Sequence, residues 1–358
     1  MTPEGRAWAD MVDALAAAGR RLDDATSGLE AGERADGYRA LLRGLHHQLA
    51  RFEVDRERPE LVPFNGWRQK FFMDNPDTRY WVADVRGDRQ YRITGSTGDA
   101  VYTSITAYSG GSGAVTAAAR IDGDQLGLSP SGEFSLLVGG TRPQAGAWLP
   151  LPEGNGQLWV RQFHDDVAAD RHGRCLIEPV AAPEPPPPID AGRFSHQLRR
   201  LAKTVQMMPT VFAAVDGQVE PNTVQHWAEM TGGAAYTEPG IHYLRGAWKL
   251  EPGEALVIEG ETVPCRHWNA LLYSRYLNSL DHRHRPVSLT GARATIRDGR
   301  YRLVLAAENP GAAIGSDADW LDTEGRPTGL VVLRWLHAEH SPALPRTRVC
   351  RTDESGTP

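Results

Sequence analysis

The sequence predicts a mainly β protein: two tandem-duplicated antiparallel units, jelly-roll-like or sandwich-like, with an N-terminal helical pair in front and a helical bridge between them. Three observations carry this reading. From about residue 63 the chain breaks into short alternating runs, RYWVADV, QYRITG, AVYTSITAY, GEFSLLVGG, GQLWVRQF and RCLIEPV, punctuated by Gly, Asp and Pro. A strand turns successive side chains to opposite faces, so such runs are half-buried strands of an antiparallel unit. The same texture returns beyond Gly240, and the two regions match position by position. Gly95 with Gly260 and Tyr108 with Tyr273 stand at one common separation; Gly132 with Gly299, Trp148 with Trp320 and Arg161 with Arg334 follow at slightly larger ones. Insertions confined to turns produce that slow drift.

The elements before and between the copies read as helices. Thr2 followed by Pro3 suits a cap and first turn, and Trp8, Met11, Val12, Leu15 and Leu22 recur at helical spacing. Tyr38, Leu41, Leu42, Leu45, Leu49 and Phe52 do the same. Two helices bury too little to stand alone, so both are expected to pack on something else. The run PEPPPP, Pro183 to Pro188, is a stiff spacer. After it, Phe194, Leu198, Leu201, Val205 and Met208 mark one helical face, and Val224, Trp227 and Met230 a shorter helix. The division is therefore residues 1–62 for the N-terminal helices, 63–182 for the first β unit, 183–190 for the linker, 191–235 for the helical bridge, 236–352 for the second unit and 353–358 for a disordered tail.

Composition excludes several functions. With 39 Lys plus Arg against 45 Asp plus Glu, the net charge of -6 offers no positive field for nucleic acid. MTPEGRAWADMVDAL is acidic where a signal peptide is basic, and no run of eighteen apolar residues follows, so a cytoplasmic protein without membrane insertion is expected. Three widely spaced cysteines, Cys175, Cys265 and Cys350, make neither a disulfide framework nor a metal ribbon. A homodimer is left open, because exposed sheet edges pair. Ten Trp against eight Phe is the unusual count. Duplication and helix packing absorb most of it: Trp148 and Trp320 are one position used twice, and Trp8 and Trp227 sit on helix faces expected to pack on the β units.

The runs CRHWNALLYSRYLNSLDHR, VSLTG and ENPGAAIGSDADWLDTEGRPTGLVVLRWL resemble the domain-of-unknown-function family twelve-fourteen, best over residues 240 to 350. MDNPDTRYWVADV and GDAVYTSITAY in the first copy look like its long bacterial members. The resemblance implies a jelly-roll-like β fold and no particular reaction. Where the family carries histidines, this chain has Glu308 in AAENPG and Arg326 in WLDTEGR.

Duplication also separates shared features, which hold the unit together, from features of one copy, which are better functional candidates. Arg161 and Arg334 are shared. Arg334 sits on a strand face with Leu330, Val332 and Leu336, so it must find a carboxylate, and Asp319 or Asp322 is the expected partner. The polar set of the strand CRHWNALLY belongs to one copy only, the equivalent strand of the other offering Tyr102, Ser104, Thr106 and Tyr108. Alternation puts Cys265, His267, Asn269, Leu271 and Tyr273 on one face and Arg266, Trp268, Ala270 and Leu272 on the other. An imidazole, an amide and a phenol in a row suit acid/base work on a polar group inside an apolar site. His267, Asn269 and Tyr273 are therefore the expected catalytic set, with Arg266, Trp268, Arg334, Trp320, His282 and His284 as substrate contacts; the bland alternative is a hydrogen-bonded polar core.

No cofactor is expected, since ITGSTGDA lacks the Lys-Ser/Thr ending of a phosphate loop and no GxSxG elbow occurs. A divalent metal held by His282 and His284 with His267 or His337 is the weaker variant, because HxH between arginines is also what a solvated edge looks like. HDDVAAD, residues 164–170, reads as a solvated acidic turn, and Cys265 as a small hydrophobe. The expectation is thus an enzyme acting on a hydrophobic small molecule, a terpenoid, steroid or other lipid-like metabolite, by non-redox acid/base chemistry. The alternative is a non-catalytic small-molecule-binding or scaffolding protein, and the second alternative a metal-dependent β-barrel enzyme.

Overall fold

The computed structural model describes residues 1–110, 115–215, 218–227, 236–311 and 317–352. Met230, GSGA at 111–114 and the tail 353–358 lie outside the described residues. The elements in chain order are α1 (Pro3–Thr26), α2 (Ala31–Leu49), β1 (Val62–Pro63), β2 (Thr78–Arg86), β3 (Tyr91–Gly98), β4 (Tyr102–Ser109), β5 (Ala117–Asp122), β6 (Glu133–Val138), β7 (Ala147–Leu149), β8 (Asn155–Phe163), β9 (His172–Pro179) and α3 (Ala191–Val215). The second copy continues with β10 (Thr223–His226), β11 (Ile241–Lys249), β12 (Glu254–Glu261), β13 (His267–Tyr273), β14 (Ser288–Thr290), β15 (Ile296–Arg297), β16 (Arg300–Ala306), β17 (Asp319–Asp322), β18 (Thr328–Leu336) and β19 (Arg346–Arg351).

The duplication is explicit in the topology. The first unit packs a sheet of order β1-β2-β8-β4-β5 on one of order β7-β6-β3-β9; the second packs β10-β11-β18-β13-β14 on β15-β16-β12-β19, with β17 alongside β16. In both, the short strand carrying the repeated Trp runs parallel to its neighbour. Trp148 Nε1 donates to the Gly139 carbonyl at 3.1 Å, and Trp320 Nε1 to the Ala306 carbonyl at 3.0 Å. Gly95 and Gly260 are repeated because an aromatic ring lies across each: an added Cβ would stand 3.0 Å from the Phe134 ring and 2.3 Å from Tyr301 Oη.

The interior of each unit is apolar and closely packed. Ile93, Ile105, Leu136, Leu158 and Val160 fill the first, and Leu256, Ile258, Leu303, Leu333 and Trp335 the second. The polar residues of β4, β8, β13 and β18 point the other way, to where the two units meet. That outer face is where chemistry is found.

The helices pack together through Ala18, Leu22, Leu41, Leu201, Val205 and Met208, with Tyr276 and Phe71 from the β units closing the cluster. Thr2 caps α1, its Oγ1 accepting from Gly5 N at 3.1 Å. Two expectations fail here. Trp8 is 57% exposed on the outer face of α1. Val224 belongs to β10, which pairs with β11, so the shorter helix is an edge strand in this stretch, ending beside Trp227. Among the described residues no helix is long and apolar enough to cross a membrane.

Candidate functional site

Where the units meet, each copy centres on a buried arginine hydrogen-bonded to a tyrosine. In the first, Arg161 on β8 donates to Tyr108 Oη at 2.9 Å and to the Tyr236 carbonyl at 2.8 Å, and pairs with Glu238 at 3.3 Å. Glu238 comes from the second unit, just before β11. Its carboxylate also accepts from Ser104 Oγ at 2.8 Å, Arg120 Nη1 at 2.8 Å and Tyr102 Oη at 3.1 Å.

In the second copy, Arg334 on β18 donates to Tyr273 Oη at 2.6 Å, and that hydroxyl donates to the Asp74 carbonyl at 2.9 Å. Burial pushes the Tyr273 phenol well above its ordinary range, so it stays neutral. Asn269 donates to Asn75 Oδ1 at 3.0 Å and Asp77 Oδ2 at 2.7 Å, and Ser288 Oγ donates to the same Asp77 oxygen. The loop before β2 of the first unit thus braces the second, as the loop before β11 braces the first. Beside it Lys70, buried and donating to the Ser279 and Leu280 carbonyls at 2.6 and 2.8 Å, is pushed down to about 8 by burial.

The expected partners of Arg334 are engaged elsewhere. Asp322 pairs with Arg285 at 2.6 Å, and Asp319 accepts from Thr295. Among the described residues no carboxylate lies within ion-pairing distance of Arg334. Trp320, expected as a substrate contact, packs beside Val257 and Val304, away from the meeting face. His282 and His284 lie edge-on to Trp67, each with ring centroids 6.1 Å away. His337 packs instead against Tyr102, so the histidines do not converge, and among the described residues no group of three or more His, Cys, Asp or Glu is set to hold a metal.

His267 differs. It starts β13 at the rim, and its Nδ1 lies 3.1 Å from Asp165 Oδ1, a residue of the first unit. Asp165 stands in the β8–β9 loop expected to be a solvated turn; Thr290 Oγ1 donates to its carbonyl and fixes it, while His164 beside it is fully buried against Asp170. A carboxylate on Nδ1 holds the proton there and leaves Nε2 as the basic nitrogen. That Nε2 is buried without a hydrogen-bond partner.

Beside this pair a cleft of about 490 Å³ is lined by Asp165, Cys265, Arg266, His267, Trp268 and Ala292, among others. Burial pushes the Cys265 thiol up, which disfavours its thiolate. Arg266 is held by both oxygens of Asp124, at 2.9 and 2.7 Å. Trp268 turns inward and stacks on Trp335 at 6.2 Å. Of the expected catalytic set the cleft takes only His267. Asn269 and Tyr273 share its strand face, as alternation requires, but are fully buried and spent on the brace. Sequence reasoning missed Asp165, Asn75, Asp77 and Glu238. The loops DNPDTRY and TEPGIHY, aligned on Asn75-Pro76 and Glu238-Pro239, were the available signal for three of them.

No family model and no curated protein matches the chain. Among solved structures it is similar to an uncharacterized protein from Burkholderia cenocepacia, with 30% identity, a TM-score of 0.87 and 97% of each chain covered. The chain belongs to the family of that protein. A more distant likeness, a protein from Vibrio parahaemolyticus, shares 12% identity at a TM-score of 0.49, over 98% of this chain and 100% of the other. The first match spans both units and the helices, so the duplicated architecture is a property of the family.

Proposed function

We propose that the chain binds a hydrophobic small molecule of the terpenoid, steroid or lipid-like kind in the cleft beside β13, and acts on it by non-redox acid/base chemistry. The observation that supports this is the His267–Asp165 pair, built from two units at the cleft wall. In this reading Nε2 takes a proton from the substrate, the Asp165 carboxylate offsets the imidazolium, and the same nitrogen returns the proton to another substrate atom. Asn269 and Tyr273 act by holding β13 in place. The resemblance proposed for residues 240 to 350 implies a fold and adds no reaction.

Extraction of the purified protein and mass spectrometry should yield an apolar compound that is lost from Ala292→Trp, which fills the cleft from an exposed position. With that compound as substrate, His267→Gln should retain binding and lower turnover by about 100-fold or more, the usual worth of a positioned acid/base group. Unchanged turnover would sink the catalytic reading. A second reading, a binding or scaffolding protein without catalysis, is favoured by the burial of Asn269 and Tyr273 away from the cleft; it expects binding without turnover in both proteins.

A further inference from the structure

The two copies of the arginine node differ at one place. Aligned on their prolines, Glu238 and Asn75 occupy the same position of the two bracing loops. Glu238 fills the space beside Arg161 with a carboxylate, whereas the shorter, neutral Asn75 does not reach Arg334. Arg334 is only 6% exposed, and its Nη1 has no hydrogen-bond partner. Directly across the strand pair, Asn269 is 0% exposed and its Oδ1 is likewise unpartnered. Its amide cannot turn over to help, because Nδ2 is committed to Asn75 and Asp77. A buried donor and a buried acceptor on residues paired across the two strands are therefore both unmet, and leaving such groups without partners is costly.

The surroundings define what belongs there. Three tyrosines surround Arg334: Tyr243 and Tyr273, each with its ring centroid 5.7 Å from the guanidinium, and Tyr80, close enough to feel the charges of both arginines. Tyr80 and Tyr243 keep part of their surface accessible, on the side from which a ligand would enter. Arg334 and Lys70 are the buried cations nearby, and Asp74 and Asp77 the buried anions, so the charges already balance. An added anion would upset that balance and would also meet the lone pairs of Asn269 Oδ1. The occupant must be neutral, accept from Arg334 and donate to Asn269, and be flat enough to lie among phenol rings.

We infer that the gap between Arg334 Nη1 and Asn269 Oδ1 is a binding site for the primary carboxamide of a neutral small molecule, separate from the cleft at His267. Its carbonyl oxygen accepts from Arg334 and its NH2 donates to Asn269.

Acetamide and acetate, nearly equal in shape and different in charge, are the probes. Saturation-transfer NMR on the full chain should show contact with acetamide and none with acetate. Asn75→Glu supplies the first copy's carboxylate to Arg334 and should abolish the acetamide signal without lowering the melting temperature. If that variant does not fold, Tyr80→Trp, which narrows the way in from a half-buried position, should abolish it instead. The inference is overturned if acetate binds as well as acetamide, if a folded variant of either kind keeps the signal, or if acetamide gives no signal with the wild type.

Discussion

Arg161 and Arg334 occupy the same strand position and make the same bond to a tyrosine, yet their surroundings differ in charge. Truncating a carboxylate that neutralises a buried arginine costs about 3–5 kcal/mol, because the arginine is left desolvated and unpaired. Glu238→Ala, which strips Arg161 of its counter-ion and frees Arg120 and Ser104, should lower stability by that amount in a denaturant titration. Asn75→Ala removes neutral hydrogen bonds with Asn269 and Thr78 and should cost about 1–2 kcal/mol. Equal costs would mean that the copies are energetically alike despite the difference in sequence. At this scale the sequence disclosed which residues repeat, and alternation placed Asn269, Tyr273 and Arg334 on the meeting face. It hid their partners. Asp319 and Asp322 are near Arg334 along the chain, but the groups around it come from a loop of the other unit, and nearness in sequence says nothing about contacts that a fold brings together.

The elements show a similar division. The strands were legible because each is pinned on one apolar side, and period-two alternation reports that directly. The helical stretch at Val224 was misread because two apolar residues three apart suit one turn of helix or an extended edge equally well; pairing with β11 decides it. On α2 the exposed Leu42 and Leu49 carried the helical pattern, while the buried face is Gly37, Ala40, Leu41, Gly44 and His47. Small residues there allow close approach: a Cβ on Gly44 would stand 2.6 Å from Met208 Sδ of α3. His47 docks α2 on the first unit, stacked on Phe71 and edge-on to Phe64, both at 4.4 Å. Burial pulls its pKa down to about 4. The unfolded chain takes up this proton near pH 6.5 and the folded chain only near 4, so the unfolded state binds more protons in between. Stability from this group is therefore complete above pH 6.5 and falls by about 3 kcal/mol as the pH drops to 4. Across that window the melting temperature of the wild type should fall further toward acid than that of His47→Phe; parallel curves would remove His47 as the cause.

The whole molecule is held by an exchange of loops. The segment before β2 leaves the first unit to brace Asn269 and Tyr273 in the second, and the segment before β11 leaves the second to neutralise Arg161 in the first. Neither outer sheet has its polar face satisfied without the other unit: alone, the first would expose or bury an unpaired Arg161, and the second would lose the acceptors of Asn269. The bundle of α1, α2 and α3 adds to the coupling, since Tyr276 of the second unit donates to the Glu33 carbonyl at 2.9 Å and Arg326 pairs with Glu33 at 2.7 Å. Two β units joined by a proline spacer would, on sequence alone, be expected to melt separately. Reciprocal bracing makes the opposite expectation: one cooperative transition, with a calorimetric enthalpy equal to the van't Hoff enthalpy for the full chain. Glu238→Ala then serves as a probe of that coupling. It sits on a loop of the second unit and bonds the first, so it should move the single transition to lower temperature without splitting it. Two resolved transitions in the wild type, or a variant in which only one of two transitions shifts, would show that the loops touch the opposite unit without coupling its stability.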